Sequence, residues 1–261
     1  MIHFCFCISG FSGSGKDEIA IHLIKNYHAI QTGLADPAKR HLADVYGFTE
    51  RQLFGPSQYR NTGDPRYPKP IFFQLDDEEQ KLALKNGDPR YLLSPRETLQ
   101  KYCELLNDLH LQTWIRKGVS VHLELADSLI KMADENYYLT KSYQRMKGIC
   151  WNESNYSLIT DHIYTCFSDF RHIHEINFVR SGQFKHQTDL IFKPVLIRVK
   201  RPSVPSPPFP HRSETEQATI SDSRFDFIID NDSTIEALQM AVDRMVQVVK
   251  SPSWNPKLDL I

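Results

Sequence analysis

The stretch Met1-Ile2-His3-Phe4-Cys5-Phe6-Cys7-Ile8-Ser9-Gly10-Phe11-Ser12-Gly13-Ser14-Gly15-Lys16-Asp17-Glu18-Ile19-Ala20 decides the fold. Residues 2–9 are mostly apolar and read as a buried strand. Lys16 to Tyr27 reads as a helix, with Ile19, Ala20, Leu23, Ile24 and Tyr27 on one face. Between them stands the pattern G-x-x-x-x-G-K, from Gly10 to Lys16. Strand, glycine-rich loop and helix in that order form the context in which such a loop cradles phosphates. The glycines let backbone N–H groups turn toward one point, and the helix N-terminus adds partial positive charge. Gly10, Ser12, Gly13, Ser14, Gly15 and Lys16 are therefore expected to hold a nucleoside triphosphate, with Lys16 neutralising the terminal phosphates. The bland alternative is a strand-to-helix turn that binds nothing.

Asp17 stands where Ser or Thr normally ligates magnesium, and Glu18 follows it. Acidic residues stabilise a first helical turn through the helix dipole. Two carboxylates beside a polyphosphate would also repel it unless a divalent cation lay between. Asp17 is the expected ligand of Mg2+, directly or through water.

Working outward, the chain has 261 residues and nearly balanced charge, 31 basic against 32 acidic. That balance argues against a general binder of polymeric nucleic acid or of membrane surfaces, so an anion site must be built locally. No run of about 18 apolar residues exists to span a bilayer. The N-terminus lacks a positive region ahead of its apolar run and reads as a strand rather than a signal peptide. The five cysteines include no C-x-x-C pair, and Cys5 and Cys7 share one strand face. Free thiols in a reducing cytoplasm are the expected setting, a host cell's cytoplasm if the protein is viral.

The spacing predicts a second helix from Asp36-Pro37, with Asp36 as N-cap, ended by Gly47. A short third helix carries Thr49 and Gln52 as a capping box, with Phe48 stapled on Leu53. Residues 55–93 are rich in Pro, Gly, Asp and Tyr, with one helix-like piece from Asp76 to Lys85. Their length suggests an insertion that covers a substrate or makes a subunit contact, as in a homodimer. A capping box at Ser94-Pro95-Arg96-Glu97 opens a helix whose stripe is Leu99, Tyr102, Cys103 and Leu106. Residues 119–136 read as helix, with a strand at Val119 to Leu123 left open.

Further on, Ile163 to Phe167 reads as a strand, after which Ser168-Asp169-Phe170-Arg171 opens a helix stopped by Gly182. Val195 to Val199 is a strand, and Pro202 to Pro210 is too proline-rich for helix or sheet. Phe225 to Ile229 is a strand. Ser233 with Glu236 caps a last helix that turns Ile235, Leu238, Val242, Met245 and Val249 inward. Alternating strands and helices predict one α/β domain over 1–261, a doubly wound, mostly parallel sheet flanked by helices.

A transferase needs a second anion site beyond the carboxyl ends of the strands. Asp36 and Lys39 begin one helix; alone, they are a cap and a solvated charge. Arg96 lies in a first helical turn, where a cation opposes the dipole unless it helps to hold an anion. Asp169 and Arg171 follow a hydrophobic strand, where a carboxylate can organise metal or substrate and a guanidinium can neutralise a transferred phosphoryl group. Lys200-Arg201 and His211-Arg212-Ser213-Glu214 bracket the proline-rich loop, so residues 200–216 suggest a basic lid over the phosphates. His211 is given no catalytic role, because a phosphate acceptor needs little base help.

Taken together, these segments resemble the bacteriophage deoxynucleoside monophosphate kinases. The matching pieces are Gly10 to Asp17 with its Gly-Lys-Asp ending, Leu34 to Lys39, and Ser94-Pro95-Arg96-Glu97-Thr98-Leu99-Gln100. Ser168 to Arg171 with Glu175, Arg201-Pro202, His211 to Thr215 and Asp230-Asn231-Asp232 follow in the family's order. The resemblance implies a P-loop kinase fold and transfer of ATP's γ-phosphate, with Mg2+, to a deoxynucleoside monophosphate. It implies that Lys16, Asp169 and Arg171 act in the transfer, that Asp36, Lys39, Arg96, Asp169, Arg171 and Glu175 serve the acceptor, and that Asn231 lies near the adenine. Residues 55–93 have no clear counterpart in that family. Two alternatives stay open: a P-loop kinase for another phosphorylated acceptor such as phosphomevalonate, and a nucleotide-binding switch or ATPase with Ile163 to Asp169 as its Walker B run.

Overall fold

A computed structural model describes residues 1–135, 162–182, 184–204 and 212–257. Five strands, β1 (Ile2–Ser9), β2 (Ile30–Gln31), β3 (His162–Phe170), β4 (Ile191–Lys200) and β5 (Phe227–Asp230), form one sheet. The helices are α1 (Lys16–Tyr27), α2 (Asp36–Tyr46), α3 (Glu50–Phe54), α4 (Ser57–Asn61), α5 (Asp77–Asn86), α6 (Pro95–Leu109) and α7 (Thr113–Glu135). Past the central segment come α8 (Ile173–Arg180), α9 (Arg212–Thr219) and α10 (Ile235–Lys250). The chain forms two compact units, one of residues 1–34 with 115–261, the other of residues 35–114.

The first unit is α/β. Its sheet runs β2-β3-β1-β4-β5 with every pair parallel. β1 is central because both its faces are apolar. Phe4, Phe6 and Ile8 pack with Ile19 and Leu23 of α1 and Val242 of α10. Cys5 and Cys7 point the other way, into a cluster with Ile115 and Val119 of α7 and Ile176 of α8. Full burial of each large β1 side chain contributes roughly 1.5–3 kcal/mol. Cys5, Cys7, Cys103 and Cys166 are all free thiols.

The second unit is helical, from α2 to α6. Leu42, Phe48 and Leu53 form its main cluster, and Phe72, Ala83 and Leu92 a smaller one. The capping box of Thr49 and Gln52 is present at α3. Residues 55–93 lie within this unit and hold more helix than expected: α4, a 3-10 turn at Pro70–Gln74, and α5. An isolated antiparallel bridge joins Pro68 to Leu92.

Several boundaries differ from the sequence reading. Ser168-Asp169-Phe170 does not open a helix: β3 runs on to Phe170, and α8 begins at Ile173. Pairing with β1 decides this, since Phe167 opposes Cys7 and Phe170 opposes Ser9. Between those pairs β3 advances three residues and β1 two, so β3 bulges at Ser168-Asp169. The N-cap of α2 is Ala35 rather than Asp36, which falls inside the helix. Thr234, not Ser233, caps α10, and Ile235 then points to solvent while Leu238, Val242, Met245 and Val249 are buried. Ile24 likewise sits on the exposed side of α1. Ser94 accepts the Glu97 amide, but the Glu97 carboxylate pairs with Lys69 and Lys101. The stripe of Leu99, Tyr102, Cys103 and Leu106 is only half-buried. Residues 119–123 are helical, inside α7.

Candidate functional site

The glycine-rich loop leaves the carboxyl end of the central strand and runs into α1. Gly15, the N-cap of α1, has φ 98°, a left-handed conformation that favours glycine, and no side chain caps this helix. The first-turn amides of a helix have no partner within it, so an uncapped N-terminus offers them to an anion. Asn231 Nδ2 donates to the carbonyl oxygen of Ser14 at 2.8 Å. A Cβ on Gly15 would overlap that same Asn231 amide. At the other end, a Cβ on Gly10 would come within 2.6 Å of the Val199 carbonyl oxygen of β4. Both glycines are thus required by close approach of neighbouring chain.

Lys16 is buried and folds across the loop, its Nζ donating to the carbonyl oxygens of Gly10 at 2.5 Å and Phe11 at 2.7 Å. Ser14 is 2% exposed, and its Oγ finds no hydrogen-bond partner among the described residues. A buried unsatisfied hydroxyl costs about 1–3 kcal/mol, which an oxygen-rich ligand in the loop would offset. The loop therefore fits a phosphate group. Ser12 and Gly13 are exposed at its tip, and Arg201 Nη1 lies 3.5 Å from the Gly13 carbonyl oxygen. Asp17 and Glu18 present exposed carboxylates in the first turn of α1. Asp17 is a hard oxygen donor beside the loop and fits Mg2+.

β1 and β3 are neighbours, and Ser9 pairs with Phe170. Gly10 and Arg171 therefore exit side by side at the carboxyl edge, and Lys16, Asp169 and Arg171 belong to one end of the sheet. Asp169, in the bulge, accepts the Leu34 amide on both oxygens, at 3.0 and 3.3 Å. The carboxylate is thereby anchored to the chain that follows β2.

Glu175 is buried, and its Oε2 accepts the backbone amides of Arg171 at 2.7 Å and His172 at 2.9 Å. Burial pushes its carboxyl up to about 7, against the opposing pull of His172 and the two amides. Expected on the acceptor side, this carboxylate closes the turn into α8. Just beyond it, His172 Nδ1 lies 2.8 Å from Glu216 Oε2 of α9.

Gln217 is a residue the sequence reading missed. Its buried Nε2 donates to Ser9 Oγ at 2.9 Å and to the Phe170 carbonyl oxygen at 3.2 Å, tying together the two strand ends that flank the loop. A glutamine in Thr215-Glu216-Gln217-Ala218-Thr219 carries no signal of such a contact. Asn231, expected near an adenine, spends its side-chain amide on the loop.

Asp36, Lys39 and Arg96 belong to the second unit. Lys39 Nζ pairs with Asp36 Oδ1 at 2.8 Å, both half-buried, and lies 4.6 Å from the centre of the Phe54 ring. Arg96, in the first turn of α6, has Nη2 3.3 Å from Ser57 Oγ of α4. Of the expected lid, Ser203 is held to Asp232 by its amide at 3.1 Å and hydroxyl at 2.6 Å, and Lys200 pairs with Asp222. Residues 205–211, which include His211, lie outside the described residues. No protein-family model matches the chain, and no curated protein matches it significantly.

Proposed function

We propose that this chain is a P-loop kinase that transfers the γ-phosphoryl group of ATP to a deoxynucleoside 5′-monophosphate. The observation that carries the reading is the loop itself: close-packed glycines, a lysine folded over its carbonyls, a buried unpartnered serine hydroxyl and an uncapped α1, all at the carboxyl end of the central parallel strand. That end is where open parallel sheets bind ligands. The five-stranded sheet, with helices on both faces of β1, is compatible with a doubly wound P-loop kinase fold. The ordered motif resemblance supplies the acceptor class, and a cytoplasmic setting suits the free thiols of Cys5, Cys7, Cys103 and Cys166.

In the reaction an oxygen of the acceptor's phosphate attacks the γ-phosphorus, the bond to the β–γ bridging oxygen breaks, and ADP leaves. The loop amides and Lys16 hold the donor's phosphates and neutralise charge on the departing ADP. Arg171, leaving β3 beside Gly10, offsets charge on the group in flight. Asp169, fixed by the Leu34 amide, organises the acceptor side. Asp17 would hold Mg2+, which supplies charge neutralisation between the phosphates.

The test is ADP formation by purified protein with ATP and Mg2+ against a panel of acceptors. Acceleration by deoxynucleoside monophosphates is expected. Acceleration only by phosphomevalonate would make it a kinase of another class, and ATP consumption without any second substrate would make it a switch or ATPase.

A further inference from the structure

A second cluster of ligand-type side chains stands where β3 passes into α8. His172 is the residue before α8, in extended backbone (φ −114°, ψ 144°), and His174 follows two positions later. His174 lies in the first turn of α8, and the chain's passage from extended His172 into the helix brings the two imidazoles together. Their rings are 5.2 Å apart and 19° from parallel. Glu216, on α9, meets them. Its Oε1 accepts the Ile173 amide at 3.2 Å, and its Oε2 lies 2.8 Å from His172 Nδ1.

One ligand atom from each of His172, His174 and Glu216 lies within 4.8 Å of the other two, and all three residues are half-buried. We propose that these residues form a site for one zinc-type transition-metal ion, clasping the start of α8 to α9. Metal–ligand bonds of about 2.0–2.2 Å place tetrahedral donor atoms about 3.4 Å apart, so small side-chain shifts convert the cluster into a coordination sphere. Two imidazole nitrogens and one carboxylate oxygen suit zinc-type ions, whereas Mg2+ prefers oxygen alone. The Ile173 amide already orients the carboxylate through its other oxygen, the outer-shell support that metal-binding carboxylates use. Three protein ligands leave a fourth position for water. The site shares no ligand with Asp17, so it stands independently of the kinase reading.

The experiment is a Co2+ titration of the chelator-treated full chain in excess Mg2+, followed by visible absorption and by competition with Zn2+. We expect the d–d bands of low-coordinate Co2+ to saturate at one equivalent per chain and to vanish when Zn2+ is added. His174→Ala and Glu216→Gln should each weaken binding by at least about tenfold. His41→Ala, at an exposed histidine of α2, should leave the titration unchanged. Absence of stoichiometric Co2+ binding by the wild-type chain would overturn the proposal, leaving a histidine–carboxylate hydrogen bond. Undiminished binding by a folded His174→Ala/Glu216→Gln double variant would overturn it equally.

Discussion

Asn231 and Ser14 are 217 positions apart, yet the Asn231 side-chain amide donates to the Ser14 carbonyl oxygen at 2.8 Å, locking the glycine-rich loop to the turn after β5. Asn231 reaches that place because its own backbone amide donates to the Lys200 carbonyl oxygen at 2.7 Å, continuing the β4–β5 ladder by one step. Removing the side chain leaves the Ser14 carbonyl in a buried setting without this donor. Asn231→Ala is expected to cost about 1–3 kcal/mol of stability. If the loop holds ATP as proposed, the substitution should also weaken that binding more than tenfold, on the order of 1.4 kcal/mol or more. Chemical denaturation and nucleotide titration measure the two effects separately.

Lys16 and Arg171 are expected to act on the transferred group rather than on the fold. Lys16→Met keeps the buried stem, and Arg171→Ala shortens a half-buried side chain. Each should lower turnover by about a hundredfold or more, with the melting midpoint within a few degrees of wild type. Near-normal turnover in either variant removes that residue from the transfer step.

Asp17 distinguishes a metal ligand from a helix-dipole partner. If it holds Mg2+, Asp17→Asn should raise the Mg2+ concentration for half-maximal activity about tenfold or more, because a charged oxygen donor is lost. A dipole role alone predicts an unchanged metal titration and a stability loss of about 0.3–1 kcal/mol.

Glu175 predicts a pH dependence of stability. Its carboxyl is raised from 4.5 to about 7 in the folded chain, chiefly by burial. The folded state therefore keeps a proton that the unfolded chain gives up, and the stabilisation present below pH 4.5 is lost as pH rises through about 7. The contribution is on the order of 3 kcal/mol across that window. Urea denaturation from about pH 5 to pH 8 should show wild type losing stability more steeply than Glu175→Gln. Parallel slopes would return Glu175 to a permanently ionised cap.

The Arg180–Asp226 pair is structural. Their side chains are 2% and 3% exposed, 3.0 Å apart, and Asp226 Oδ2 also accepts the Leu196 amide at 2.8 Å. Asp226→Ala leaves a guanidinium buried without its charge partner and should cost about 3–5 kcal/mol by denaturant unfolding.

Much of this architecture is legible residue by residue. The mostly apolar run of residues 2–9 announces a strand buried on both faces, and Thr49 with Gln52 announces a helix start, because each signal is carried by near neighbours. The same logic fails at Ser168-Asp169. Locally this pair looks like a helix cap, but pairing with Cys7 and Ser9 extends the strand and absorbs the extra residue as a bulge. Ser233 and Thr234 are both competent caps, and helix phase against the core selects the second. The fold of residues 55–93 was obscured because short helices and a 3-10 turn carry little periodicity.

By itself the sequence determined a glycine-rich loop between a buried strand and a helix, the alternation of strands and helices, and the acidic residue after Lys16. Only the tertiary structure decided what surrounds that loop. Asn231 on Ser14, Gln217 on Ser9 and Phe170, and Glu175 on the amides of Arg171 and His172 all follow from how the chain exits neighbouring strands. Strand order is a global outcome of burying β1 between β3 and β4, and no local run of residues encodes it. Contacts of this kind between distant segments exist only once the sheet has assembled.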